Sequence, residues 1–277
     1  MKKTVSNVLK HLVCISLCIV VILPFYMVFI NSLKPKAEAA RMSLALPTEW
    51  HFETYLEVIE EANLVHGFFN SLTYAGISTT IGVLGCAMAA FVMARNKTKI
   101  NNFLYYFVIC GLFFPINYVT LVKVLQTFNL ANTKPGIIIA FISSMIPFCI
   151  FTIRNFISSI PVELDEAAII DGCGPLSLFF KVVAPLMKPT IVTCFILQFM
   201  GIWSDFLTPL YLSNSSKMYP MTMAVYQFFG KNKNWWHFVF ADIILTCIPV
   251  IIVYLIGQKY IIGGMTSGGV KDKEVSI

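Results

Sequence analysis

The residues of this chain best suited to polar chemistry collect in one stretch, Ser158 to Lys188. There Glu163, Asp165, Glu166 and Asp171 follow Pro161 and are followed by Gly172 and Pro175. Pro161 suits the first turn of a helix, because its missing N–H would be unpaired there anyway. Glu163, Asp165 and Glu166 then lie near the positive end of that helix's dipole. Gly172 favours the left-handed conformation that ends a helix, Pro175 starts another, and Pro185 stops it. Two short helices joined by a tight turn are expected, facing water. Ala167 and Ala168 would keep one face flat, so that a partner protein approaches closely. The competing reading is an ordinary capped loop with a solvated run of charge.

Catalytic signatures are missing elsewhere. His11, His51, His66 and His237 are scattered, and the chain contains no H-E-x-x-H zinc site, no G-x-S-x-G elbow and no P-loop for ATP. No enzyme activity and no metal are expected. The eight cysteines include no C-x-x-C pair. Cys14 and Cys18 lie one helical turn apart without further ligands, so the cysteines read as small apolar helix residues. Asp205 and Asp242 fall inside apolar runs. A carboxylate at membrane depth costs about 2.5 kcal/mol or more, so each should face a cavity or a partner. An interhelical hydrogen bond or a helix end near water is the simpler alternative for both.

The elements that position these residues are set by composition. Of 277 residues, 57% are hydrophobic and only 12% charged, with a mean hydropathy of +0.77. A soluble domain carries about a quarter charged residues. The polar surface here is too small to coat a globule, so lipid must be the solvent. The net charge of +6 comes without a basic stripe interleaved with aromatics, which argues against nucleic acid.

Six apolar stretches reach spanning length: Val13–Asn31, Phe69–Met93, Phe103–Val122, Gly136–Ile157, Pro189–Leu212 and Phe238–Gly263. No period-2 alternation suggests a membrane barrel, and open backbone groups have no partner in lipid, so the spans are helices. The fold class expected is an all-α membrane protein, residues 1–277 forming one transmembrane domain. Lys2, Lys3, Lys10, Arg95, Lys97, Lys99, Arg154, Lys259, Lys271 and Lys273 then share one side, which should be cytoplasmic and hold both termini. Lys34, Lys36 and Arg41 oppose that bias. The first external loop, Ser32 to Gly67, has a potential amphipathic surface helix at His51 to Ala62. Trp235 and Trp236 suit an interfacial belt. The segment 158–188 falls in the cytoplasm between helices 4 and 5, and 264–277 forms a cytoplasmic tail.

The segment 158–188 resembles the EAA loop of ABC-importer permeases, with Glu166-Ala167-Ala168, then Asp171-Gly172, and Val182 with Pro185. The likeness extends over essentially the whole chain. Pro24, Ser32-Leu33-Lys34-Pro35, Asn70-Ser71, Ala90-Phe91 with Arg95, Trp203-Ser204-Asp205-Phe206 and Gly263 through Lys271 are similar to sugar-importer permeases of the maltose-transporter MalG type. Two features depart from that pattern. The tail runs on through Lys273 and Glu274 to Ile277, and Asp242 stands where a small neutral residue is expected.

The resemblance implies a non-catalytic subunit of the bacterial cell membrane. Its partners would be a homologous second permease, two copies of a cytoplasmic ATPase that bind ATP and Mg, and an extracytoplasmic solute-binding protein. Sugar would be the substrate. Glu163, Glu166, Ala167, Ala168, Asp171, Gly172 and Pro185 would couple to the ATPase, and Gly268, Gly269, Val270 and Lys271 would reach it from the tail. Trp203, Asp205 and Asn70 are candidates for the translocation pathway, where carboxylates pair with sugar hydroxyls and aromatic faces cover the rings. An ABC permease for glycerol phosphate, an amino acid or a peptide is the nearest alternative. A self-sufficient carrier or channel is further off, since neither an inverted repeat nor a filter sequence is evident.

Overall fold

The computed structural model describes residues 2–230 and 233–267. Helices run α1 (Lys2–Ser32), α2 (Thr54–Glu61), α3 (Leu64–Arg95), α4 (Lys99–Cys110), α5 (Tyr118–Thr127) and α6 (Lys134–Ile157). They continue with α7 (Glu163–Ile170), the compound helix α8 (Pro175–Leu186), α9 (Lys188–Ser204), α10 (Leu207–Leu212) and α11 (Trp236–Ser267). A two-residue antiparallel ladder, Phe229–Gly230 against Lys233–Asn234, is the strand structure among the described residues.

Four of these helices are long and apolar enough to cross a membrane: the Lys10–Ser32 part of α1, α3, α6, and the Trp236–Tyr260 part of α11. They cover four of the six expected spans. The expected span Phe103–Val122 is instead broken into α4 and α5. Gly111 ends α4, and Asn117 caps α5 by accepting a hydrogen bond from the Thr120 N–H at 3.0 Å. Pro115, between them, has no N–H to continue a helix. Gly111 is also required by packing, since a Cβ there would lie 2.9 Å from the Pro147 ring of α6. The expected span Pro189–Leu212 is divided too, into α9 and α10 at Asp205–Phe206. A fifth apolar run exists only as the pair α8 and α9, bent by 79°.

The chain divides into two compact units, Met1–Phe68 with Met221–Pro249, and Phe69–Pro220 with Val250–Ile277. In the first, α2 buries Val58 against Leu64, Ala224, Phe228, Phe238 and Val239. This helix forms where an amphipathic one was expected, but its apolar face is covered by protein. Phe228, Trp235 and Phe238 meet edge to face, with centroids 5.2 and 5.3 Å apart. The Ser32–Lys34 turn is fully buried. Lys34 Nζ donates to Asn31 Oδ1 at 3.1 Å and to the Ser43 carbonyl and hydroxyl at 2.8 and 2.9 Å. Lys34 therefore does not count as a surface charge opposing the orientation bias. Lys34→Met keeps the bulk but leaves those oxygens without a donor. It is expected to cost about 1–3 kcal/mol, seen as a lower melting temperature in detergent.

In the second unit α6 is the central helix. Thr133 caps its start by accepting from the Gly136 N–H at 3.1 Å. Ile137, Phe141, Met145, Cys149, Ile153 and Ile157 are buried along it. These positions recur every four residues, a spacing that keeps successive side chains on neighbouring parts of one helical face. Helix α3 approaches so closely at Gly82 that any side chain there would run into the Met145 sulfur. Helices α4, α9 and α10 also pack on α6.

Candidate coupling site

The segment after α6 folds as two short helices around a tight turn. Gly172 adopts φ +84°, a conformation open to glycine at little cost. A Cβ at Gly172 would meet no atom within 4 Å, so the demand there is backbone conformation alone. Beyond the turn, Pro175 opens α8, whose stretch Leu178–Val183 has π-helical hydrogen bonding. Nothing in the sequence signals that widening. Pro185 and Pro189 flank the bend at Met187, where each lacks the N–H that a continuous helix would use.

The two faces of α7 differ. Glu163, Glu166, Ala167 and Asp171 are exposed, while Asp165 and Ala168 are buried. The small-residue face expected from Ala167 and Ala168 is thus divided, because adjacent helix positions point about 100° apart. Pro185 is exposed on α8. Ile169 and Ile170 are 58% and 85% exposed, and Leu176 and Phe180 of α8 are 64% and 54% exposed. Sequence reasoning did not select these four. Two adjacent isoleucines closing an acidic helix were the available signal, since apolar side chains facing water in a cluster mark a binding surface.

Asp165 was expected as a first-turn carboxylate and Arg95 as a basic residue closing the second span, but their pairing was not. Arg95, the last residue of α3, donates from Nε to Asp165 Oδ2 at 2.6 Å and from Nη2 to Oδ1 at 3.4 Å. Its Nη1 reaches the Ile160 carbonyl at 3.2 Å and the Ile157 carbonyl, at the end of α6, at 3.4 Å. Nearby, the Arg154 guanidinium of α6 lies 3.6 Å from the centre of the Tyr105 ring of α4, and its Nε approaches the Met93 carbonyl at 3.5 Å.

The candidate pathway residues lie elsewhere. Asp205 is half-buried at the break between α9 and α10 and caps α10, accepting from Thr208 N at 3.1 Å and Thr208 Oγ1 at 2.7 Å. Trp203 is 2% exposed, with its ring stacked 5.7 Å from Phe199. Asn70 is 1% exposed; its amide donates to the Lys217 and Tyr219 carbonyls at 3.0 Å each and accepts from Lys134 Nζ at 2.7 Å. With Tyr74, whose hydroxyl donates to the Met218 carbonyl at 2.9 Å, Asn70 clasps the loop after α10. The tail residues Gly268, Gly269, Val270 and Lys271 lie outside the described residues. Asp242 is fully buried in the second turn of α11.

Several long apolar helices, with a short helix pair that exposes both carboxylates and large apolar side chains, define a multi-pass membrane protein. The chain belongs to the family described as binding-protein-dependent transport system inner membrane component, which matches residues 81–267. It is 33% identical to the diacetylchitobiose uptake system permease protein NgcG of Streptomyces coelicolor, over 94% of this chain and 87% of that one. It is 32% identical to the melibiose/raffinose/stachyose import permease protein MelC of Bacillus subtilis, over 90% and 91%. In fold it resembles a chain from the crystal structure of a bacterial ABC transporter that imports alginate. That match has a TM-score of 0.83 and 20% identity, over 94% of this chain and 98% of the other.

Proposed function

We propose that this chain is one of two membrane subunits of a bacterial sugar importer powered by a separate ATPase. The observation that carries the coupling role is the exposed surface of α7 and α8. It sets Glu163, Glu166 and Asp171 beside Ile169 and Ile170, at the end of the second unit that also holds Arg95, Lys97 and Arg154. A cytoplasmic position for that end follows from its positive charge. The named relatives that take up diacetylchitobiose and the melibiose–raffinose sugars support sugar as cargo. In this reading α4 with α5, and α9 with α10, each serve as one broken crossing, which brings the crossings to six. Non-helical backbone at membrane depth is tolerated where it is covered by protein or lines a water-filled path.

The carboxylates on α7 would make charge-assisted hydrogen bonds to the ATPase, which supplies the ATP and Mg sites. Gly268 to Lys271 would add contacts from the tail. ATP-driven closure of the ATPase pair would move α7, switch the bundle outward, and let a solute-binding protein deliver sugar. Asp205, at a helix break, is the pathway carboxylate, with Trp203 and Asn70 bracing the break and the loop beyond α10. Asp205→Asn keeps an acceptor for the Thr208 N–H and removes the charge. Uptake should fall about tenfold, the equivalent of one charge-assisted hydrogen bond of about 1.5 kcal/mol. Wild-type uptake by an assembled Asp205→Asn complex would take this residue off the pathway.

The reading as a whole is tested by purifying the chain from its native membrane in mild detergent and identifying its companions by mass spectrometry. A second permease and an ATPase are expected. Recovery of the chain alone, under conditions that preserve a known importer, would favour a self-sufficient carrier.

A further inference from the structure

The last turn of α3 holds both halves of the coupling segment from one face. Phe91 and Arg95 are four residues apart, so they project on the same side of the helix. Phe91 meets Phe179 of α8, with ring centroids 5.7 Å apart. Arg95 grips Asp165 in the first turn of α7. The two contacts differ in kind. Tilted rings slide past one another at small cost, whereas a guanidinium fork on a carboxylate fixes direction as well as distance.

Beside the fork an open groove of about 330 Å³, lined among others by Phe91, Arg95, Val162, Asp165, Ile169 and Leu178, lies between α7 and the end of α3. Atoms across such a gap contribute little dispersion attraction. Between α7 and α3 the fork is the directional contact, while α7 also packs on the Leu178–Val183 stretch of α8. The fork is also well shielded: the side chains of Arg95 and Asp165 are 16% and 8% exposed. A shielded pair is screened little by salt, and removing either partner strands the other charge. Arg95 further binds the Ile157 carbonyl at the end of α6. One guanidinium thus joins α3, α6 and α7.

We propose that Arg95 and Asp165 are the positioning pair through which displacement of α7 is passed to α3 and α6. The pair is a mechanical link inside this subunit, separate from the exposed residues that would touch the ATPase. The inference rests on the coupling role proposed above for α7.

The test uses the full complex purified with its ATPase, with and without MgATP plus orthovanadate, and reads backbone hydrogen exchange by mass spectrometry. In the wild type, nucleotide trapping is expected to change exchange in residues 163–170 and also in 89–95 and 151–157. In Arg95→Gln and in Asp165→Asn, the change at 163–170 persists, while the changes at 89–95 and 151–157 are lost. Arg95→Lys keeps the charge without the fork and should fall between, which covers the case in which the other variants assemble poorly. Wild-type responses in all three variants would overturn the proposal. So would equal loosening of α3 and α6 in the absence of nucleotide with the trapped response intact, since that is the signature of a mere helix cap. If the wild type shows no response at 163–170, the coupling role of α7 itself fails, and the link falls with it.

Discussion

Ile170→Glu should reduce recovery of the ATPase with this chain by about thirtyfold or more, while the chain itself accumulates normally. Ile170 is 85% exposed at the end of α7, so a charge there displaces no packed neighbour and should leave folding unchanged. In a docked complex the same charge would be driven into a desolvated contact. Buried interface anchors of this kind are worth about 2 kcal/mol or more, and an uncompensated charge adds to the loss. The control is Leu56→Glu on α2, at a site 68% exposed, which should leave ATPase recovery unchanged. The measurement is a pull-down quantified against the permease. Equal recovery from Ile170→Glu and wild type would mean that the end of α7 is not part of the contact.

Gly172→Val should uncouple transport from ATP hydrolysis. At φ +84° a β-branched residue costs about 1–3 kcal/mol. The space around the missing Cβ is empty, so the cost is conformational and is relieved by re-forming the turn between α7 and α8. The two halves of the docking surface would then lose their relative placement. A local equilibrium shift of that size corresponds to about 5- to 150-fold. Sugar uptake should fall by such a factor while ATP is still hydrolysed by the associated ATPase. Gly172→Asn provides the discriminating comparison, because asparagine tolerates the left-handed region; it should retain most of the uptake. If Val and Asn variants behave alike, a role for backbone conformation at this turn is excluded.

Much of this arrangement was legible because the relevant signals are local. Long apolar runs have one solution in lipid, and Lys10–Ser32, α3, α6 and α11 formed where they were expected. The turn at Gly172 and the short helix opened by Pro175 rest on the missing N–H of proline and the φ freedom of glycine, which do not depend on distant contacts, whereas Pro161 stands one residue before the Val162 cap of α7 instead of in its first turn. The breaks at Gly111–Asn117 and at Asp205 were within the same signals, yet the continuous apolar composition around them outweighed a proline and two capping side chains. Asp205 reads as a carboxylate inside a span when hydropathy is averaged. Its role as a helix cap appears only once the backbone turns out of the helix at that point.

What the chain determined by itself was its solvent, its helices and the acidic segment between two of them. The family entered through the resemblance of that segment, and of the rest of the chain, to ABC-importer permeases. The tertiary structure alone decided which face of each helix is used. Ala168 turns inward and Ala167 outward, Lys34 is consumed by Asn31 and Ser43, and Asn70 clasps the Lys217–Tyr219 loop. Above all, it brought Arg95 to Asp165 across 70 residues. Hydropathy and turn chemistry act over a few residues and can be read in order along a chain. A guanidinium fork joins two points whose proximity is set by how α3 and α6 pack, and no local pattern carries that distance.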